Sequence, residues 1–157
     1  MTLASIESLL PQLACLPPHT HALGLRFGGL EPDGAVVLTA PYREDLIGDP
    51  DTRVLASGLV SALLDHAGGL AVWAALKAFQ PIATVDLRVD YMRGSKPGLD
   101  IHARARCFHL TRRIAFVRAW AYDESPDEPI AAAQGAYTLT PRRPGRHAPP
   151  QTEGDQR

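Results

Sequence analysis

Cysteine is scarce in this sequence. Its 157 residues hold two, Cys15 and Cys107, at no paired or metal-ligand spacing. That argues against a disulfide framework and a structural zinc site, and it suits small buried hydrophobes in a reducing cytosol. Net charge is equally slight. Sixteen Lys and Arg against seventeen Asp and Glu leave a formal −1, so there is no basic field to attract nucleic acid or acidic lipid. The opening residues Met1-Thr2-Leu3-Ala4-Ser5-Ile6-Glu7 lack a basic n-region leading into a long apolar run. No signal peptide is expected, and a cytoplasmic protein is. What remains is ordinary globular composition, 45% hydrophobic and 21% charged, in a chain long enough to close one core without staples.

One stretch is unusually apolar. From Val54 to Leu76 the only ionisable side chains are Asp65 and His66, and that length could span a bilayer. An Asp at the centre of a membrane helix costs about 2.5–3.5 kcal/mol even on forgiving scales. Ala56, Ser57, Gly58, Ser61, Ala62, Gly68 and Gly69 dilute the hydrophobicity further. A helix apolar all round is otherwise the core helix of a soluble fold, and that is the reading taken, with no membrane partner.

The periodicities place the other elements around it. Leu3, Ile6, Leu9, Leu10 and Leu13 fall at helical spacing over residues 2–15, stopped by Pro17-Pro18. A hairpin is expected from Leu23–Phe27 to Ala35–Thr39, turning at Glu31-Pro32-Asp33-Gly34. A polar loop over 43–53 precedes the long helix, roughly 54–79, which ends before Pro81. The period then changes to two. Val85, Leu87, Val89 and Tyr91 read as one face of a strand, followed by a turn at Gly94–Gly98. Leu99–Cys107, Ile114–Tyr122 and Ile130–Thr140 complete what reads as a four-strand antiparallel meander. Residues 141–157, rich in Pro, Gly, Arg and Gln, read as a flexible tail after a single domain over 1–140. Two strands, a long apolar helix and four more strands make an α+β arrangement with one sheet. A strongly curved antiparallel sheet wrapped around the helix would cover most of it, and a second copy of the chain the rest. That is the logic of a hotdog fold.

Asp65 is the first candidate for chemistry. A lone carboxylate midway along an apolar helix loses hydration and has no partner nearby in sequence. It suits general-base work on water, and equally a structural bond to backbone. His66 points about 100° away around the helix and reads as a packed or surface histidine. The helix start is the second candidate: the first-turn amides around Ser57, Gly58 and Leu59 are unpaired donors at the positive end of the helix dipole. Such amides suit a carbonyl oxygen that becomes an oxyanion.

The stretch Ser57–Ala71, with Asp65-His66-Ala67-Gly68-Gly69 inside it, resembles the helix motif of phenylacetate-pathway (PaaI-type) hotdog thioesterases. The loop Tyr42–Thr52 is similar to that of bacterial members, and Ala83–Arg93 and Arg112–Val117 resemble two of the strands that follow. The resemblance runs from about residue 20 to 140. It implies hydrolysis of an acyl-CoA thioester with no metal or organic cofactor. It puts Asp65 on the catalytic acid, as nucleophile or as base for water. The Ser57 amide falls on the group that polarises the carbonyl, and Thr84 on the hydroxyl that helps place the water. Three positions depart from the pattern: Ala56-Ser57 stands where the family has His-Gly, and Asp49 where the loop usually has Asn. Asp49 would bring a second carboxylate near Asp65.

Ser57 and Asp65 are eight residues apart, roughly 12 Å along a helix at 1.5 Å per residue. One carbonyl cannot touch both within one chain. If both act on one thioester, a C2 homodimer with shared sites is required, alone or within a tetramer. Arg93, Lys96, Arg112 and Arg113 lie near strand ends and are candidates for the CoA phosphates, although solvated surface cations explain them as well. The expected substrate is a medium-chain or aromatic acyl-CoA. A non-catalytic acyl-CoA or fatty-acyl binding protein is the main alternative, favoured by Ala56-Ser57. A hotdog dehydratase is disfavoured, because no His lies between residues 22 and 65.

Overall fold

The computed structural model describes residues 5–140; the expected tail, 141–157, lies outside the described residues. Ser5, extended and with its hydroxyl accepting from the Ser8 amide, caps helix α1 (Ile6–Cys15). Its Ile6, Leu10, Leu13 and Ala14 are buried. α1 stops before Pro17-Pro18, as expected, and Pro18 then starts a short helix α2 (Pro18–Leu23) that the sequence reading did not include. Pro18 takes the first helical position, where a missing N–H costs nothing, and Gly24 closes the helix at φ 71°.

The hairpin follows as β1 (Arg26–Leu30) and β2 (Val36–Ala40), with Gly34 at φ 81° in the turn. Arg104 reaches the turn from a neighbouring strand through Glu31 (2.7 Å) and Asp33 (2.6 Å). Helix α3 spans Ser57–Leu76, shorter at both ends than the sequence suggests, and Lys77 ends it in the left-handed region at φ 51°. Strands β3 (Ile82–Tyr91), β4 (Ile101–Leu110), β5 (Ile114–Tyr122) and β6 (Ala131–Leu139) come after it.

The six strands form one antiparallel sheet in the order β1-β2-β4-β5-β6-β3. Only β4-β5-β6 is the expected meander. β3 pairs with β6, and β4 pairs with β2 across the middle of the sheet. The cause is the segment after β3, which crosses over instead of turning back. Asp123, after β5, accepts from the Lys96 amide (2.8 Å) and the Arg93 guanidinium (2.6 and 2.9 Å), and Ser95 Oγ accepts from the Leu55 amide (3.0 Å). These bonds hold residues 93–96 against other elements along the crossover.

The helix-facing side of the sheet is largely alanine: Ala103, Ala105, Ala115, Ala119, Ala121, Ala131 and Ala133 are all buried. Those small side chains leave room for Leu59, Leu63, Leu64 and Leu70 of α3, also buried. Although α3 is long and apolar enough to cross a membrane, those leucines sit in the domain core. One stripe of α3 stays partly or fully open: Gly58, Ser61, Ala62, Asp65 and Gly69. Beside it, edge strand β3 and the residue after it expose Val85 (61%), Tyr91 (45%) and Met92 (57%).

A bulge between Thr84 and Asp86 breaks the simple alternation expected of β3. Val85, expected to share a face with Leu87, Val89 and Tyr91, is the extra residue and is exposed. Thr84 takes its place on the helix side.

Helical glycines separate cleanly on this packing. A Cβ on Gly68 would stand 2.1 Å from the Tyr137 hydroxyl, whereas one on Gly58 meets nothing within 4 Å. Gly→Ala inside a helix ordinarily gains about 1 kcal/mol, but overpacking a filled core costs about 1–3 kcal/mol. Gly58→Ala should therefore hold or raise Tm and Gly68→Ala should lower it, measured by thermal unfolding.

Candidate active site

Asp65 sits halfway along α3 on the open stripe, half-buried. Its Oδ1 accepts from the Thr84 hydroxyl at 2.8 Å, and the Tyr137 hydroxyl lies 3.3 Å from the same oxygen and 3.0 Å from the Asp65 carbonyl. Burial, reinforced by the Asp65 charge, holds the Tyr137 phenol far above its ordinary pKa. Tyr137 is therefore a permanent donor. These three side chains line a cleft of about 390 Å³, whose other walls include Pro17 and His19 of α2, Leu70 and Trp73 of α3 and Ile82 of β3. The cleft is thus mostly apolar, with one carboxylate on its wall.

His66, next in sequence, is committed elsewhere. Its Nε2 donates to the Ala14 carbonyl at 2.9 Å, joining α3 to α1. Desolvation lowers its pKa and favours the neutral ring. It is packed, as expected, although one side of it reaches the cleft.

The start of α3 lies in a different pocket, about 290 Å³, lined by Gly48, Ala56, Ser57, Tyr91, Arg93 and Gly94 among others. Ala56 at the N-cap offers no side-chain acceptor to the first-turn amides. Two features fix this end. The Tyr91 hydroxyl donates to the Ser57 carbonyl (2.7 Å) and lies 2.7 Å from Ser61 Oγ. The 44–53 loop packs so close that a Cβ on Gly48 would come within 2.7 Å of Ala56 Cα. Within one chain, then, Asp65 and Thr84 come together with Tyr137, while Ser57 and Gly58 stand apart from them.

Asp49 belongs to neither pocket. Its carboxylate accepts from the Thr52 hydroxyl (2.6 Å) and the Asp51 amide (3.0 Å), and these bonds, Thr52 first, lower its pKa. Within the chain it organises its own loop and does not pair with Asp65.

The four cations expected near phosphates divide. Arg93 is not a free surface cation. It makes a two-pronged pair with Asp123, which is fully buried, and also donates to the Glu128 carbonyl (2.6 Å) and the Gly94 carbonyl (3.0 Å). Arg93 depresses the Asp123 carboxyl far below its usual range. Lys96 pairs with Glu124 at the surface. Arg112 and Arg113 are exposed in the β4–β5 turn, with no ion pair among the described residues. Among the described residues no group of three His, Cys, Asp or Glu side chains gathers to hold a metal.

Sequence reasoning missed Tyr137 and the α2 wall. The Pro18 start and Gly24 stop are a legible signal for α2. Tyr137 carries none: it is one inward position of an alternating strand.

The residue pattern of the thioesterase superfamily matches residues 54–130. A protein of Halobacterium salinarum named as an esterase is 39% identical over 114 residues, 68% of this chain and 75% of that one. Among solved structures, a Pseudomonas aeruginosa protein superposes with a TM-score of 0.77 at 29% identity, covering 85% of this chain and 98% of the other. An Asn-to-Asp variant of the phenylacetic acid degradation protein PaaI from Thermus thermophilus superposes at 0.66 with 30% identity, over 78% and 98%.

The Arg93–Asp123 pair gives a stability prediction. Removing one partner of a buried pair costs about 3–5 kcal/mol, and Arg93 is 28% exposed, so Arg93→Met should cost near the lower figure. The Asp123 pKa is depressed by folding, so the pair stabilises above the ordinary carboxylate pKa of about 3.9 and its contribution fades as pH falls below that. Chemical denaturation should show the full deficit at pH 7 and a shrinking one below about pH 4.

Proposed function

The chain belongs to the thioesterase superfamily, and from that premise we propose that it hydrolyses an acyl-CoA thioester at a site completed by two copies of the chain. The observation that carries this reading is Asp65, a carboxylate anchored through one oxygen by two hydroxyls on the wall of an apolar cleft. The cleft would take the acyl group, and its size and its Trp73 and Ile82 walls suit a medium-chain or aromatic acyl chain. Asp65 would attack the carbonyl or remove a proton from water as it attacks. Water's elements add across the C–S bond, giving the carboxylic acid and the CoA thiol.

The oxyanion needs donors, and none of the first-turn amides of α3 lies near Asp65 in the same chain. A second α3 running antiparallel along the open stripe would bring its Ser57 and Gly58 amides to the carbonyl. Two features support such an arrangement. The stripe is built of small side chains, so helices could approach closely, and edge strand β3 presents exposed Val85 and Tyr91 to whatever covers it. In this assembly Asp49 of the second copy would approach the site as well. Thr84 would orient the water. Of the four cations, the exposed Arg112 and Arg113 fit CoA phosphates best, whereas Arg93 and Lys96 act mainly within their own chain.

The competing reading is a binding protein, favoured by Ser57, whose Cβ stands where the resembled family has glycine and would crowd a bound carbonyl. A panel of acyl-CoAs with a thiol reagent separates the two, because a binder releases no CoA. In an active protein, Asp65→Asn should fold normally and lose at least about a hundredfold in turnover, in line with general-base contributions; retained activity would refute the mechanism. Sedimentation should show at least a dimer, and a stable, active monomer would refute the shared site.

The departures at the helix start give a separate test. Ala56→His with Ser57→Gly and Asp49→Asn should raise turnover roughly tenfold, about 1.4 kcal/mol of barrier. No gain, with tight acyl-CoA binding before and after, would favour the binder.

A further inference from the structure

We infer that Tyr137 is a positioning residue for Asp65, fixing Oδ1 together with Thr84 so that Oδ2 is the oxygen that acts on the thioester. The inference rests on the hydrolytic reading above. A carboxylate on a two-carbon side chain has a soft terminal torsion, so its two oxygens exchange roles readily unless something distinguishes them. Here the distinction is built in. Oδ1 faces the Thr84 hydroxyl at 2.8 Å and the Tyr137 hydroxyl at 3.3 Å, and no described residue donates to Oδ2.

The phenol has one proton, and it lies between the Asp65 carbonyl at 3.0 Å and Oδ1 at 3.3 Å. It therefore ties the carboxylate to the backbone of its own residue. The nearer acceptor is the carbonyl, so the phenol's share on Oδ1 adds to the shorter Thr84 bond at 2.8 Å. Tyr137 is only 2% exposed and its hydroxyl is bonded to Asp65, so although it lines the cleft it acts through Asp65. Because burial keeps its proton in place, it cannot compete with Asp65 as a base.

Glycines make room for this side chain, Gly68 at its hydroxyl and Gly135 at its ring edge. On α3, a Cβ at Gly68 would sit 2.1 Å from the Tyr137 Oη; on β6, a Cβ at Gly135 would sit 3.2 Å from its Cε2. Gly68 is three residues beyond Asp65, so the opening lies just where a ring from β6 must pass to reach the Asp65 carbonyl. A tyrosine that merely filled the core would not need a socket at its polar tip.

Steady-state kinetics of Tyr137→Phe test this, alone and in the Asp65→Asn background. The expected result is a fall of about tenfold in kcat with KM within about twofold of wild type, and no further fall once Asp65 is Asn. A purely structural hydroxyl would lower Tm and leave kcat within twofold, or shift kcat and KM together. Either pattern overturns the positioning role while leaving hydrolysis by Asp65 intact. A wild-type protein that releases no CoA from any thioester, by contrast, overturns the hydrolytic reading and this inference with it.

Discussion

A helix with almost no polar face has to be covered along its whole length, and the rest of this fold is arranged around that requirement. α3 offers leucines on most of its circumference. The sheet meets them with rows of alanine, and α1 adds Leu10, Leu13 and Ala14. The alanines of β4, β5 and β6 leave room for those leucines, while Leu38, Ile101 and Tyr137 supply larger side chains from the sheet. The requirement is not met on one stripe, and it is there that Asp65 lies. A carboxylate inside the covered circumference would lose its hydration outright. One on a fully solvated face would have no reason to be held. At the border it keeps one side open to the cleft and a closed side for hydrogen bonds.

The closed side is furnished by strand register. Thr84 and Tyr137 are partners across the β3–β6 pair, so their side chains stand opposite one another on the same face, where α3 passes. Their meeting on one oxygen of Asp65 is thus a property of the pairing. The bulge after Thr84 is part of it. In plain alternation Thr84 would point away from the side shared by Leu87, Val89 and Tyr91. One inserted residue turns it inward and leaves Val85 outside. The strand order contributes too, since it sets β3 beside β6, and the segment after β3 crosses over and bonds to Asp123.

Much of this was legible from residues alone, and the limits have physical causes. Hydrophobic periodicity locates α1, α3 and the strands from β2 on, because the period reports which face is buried; β1 lies three residues later than expected, at Arg26–Leu30, because Leu23 closes α2. Asp65 is legible because a lone charge in twenty apolar residues is conspicuous. Thr84 is identified by resemblance alone, since a bulge is a matter of pairing and leaves no mark in a run such as Thr84-Val85-Asp86. Pairing order is likewise hidden: Gly94–Gly98 has turn composition whether the chain doubles back or crosses over, and only the Asp123 contacts decide. Arg93 reads as a candidate for CoA phosphates or as a solvated surface cation, because nothing in sequence distinguishes a free strand-end arginine from one paired with a buried carboxylate. Tyr137 was invisible for the complementary reason, its partner lying 72 positions earlier in the chain.

Covering α3 and completing the proposed site would be one event. The open stripe contains both the surface that still needs burial and the carboxylate that still needs an oxyanion partner. A second helix laid along it would supply the first through small-residue packing and the second through its unpaired amides. The polarity of that helix matters. A parallel one would bring its own Asp65 alongside and set two carboxylates against each other. An antiparallel one brings the positive end of its dipole to Asp65 instead. Twofold symmetry then repeats the arrangement at the other end, so each copy contributes a carboxylate to one site and amides to the other. On this argument the eight-residue separation of Ser57 and Asp65 is a design length: it sets how far two antiparallel helices must overlap for both sites to form at once.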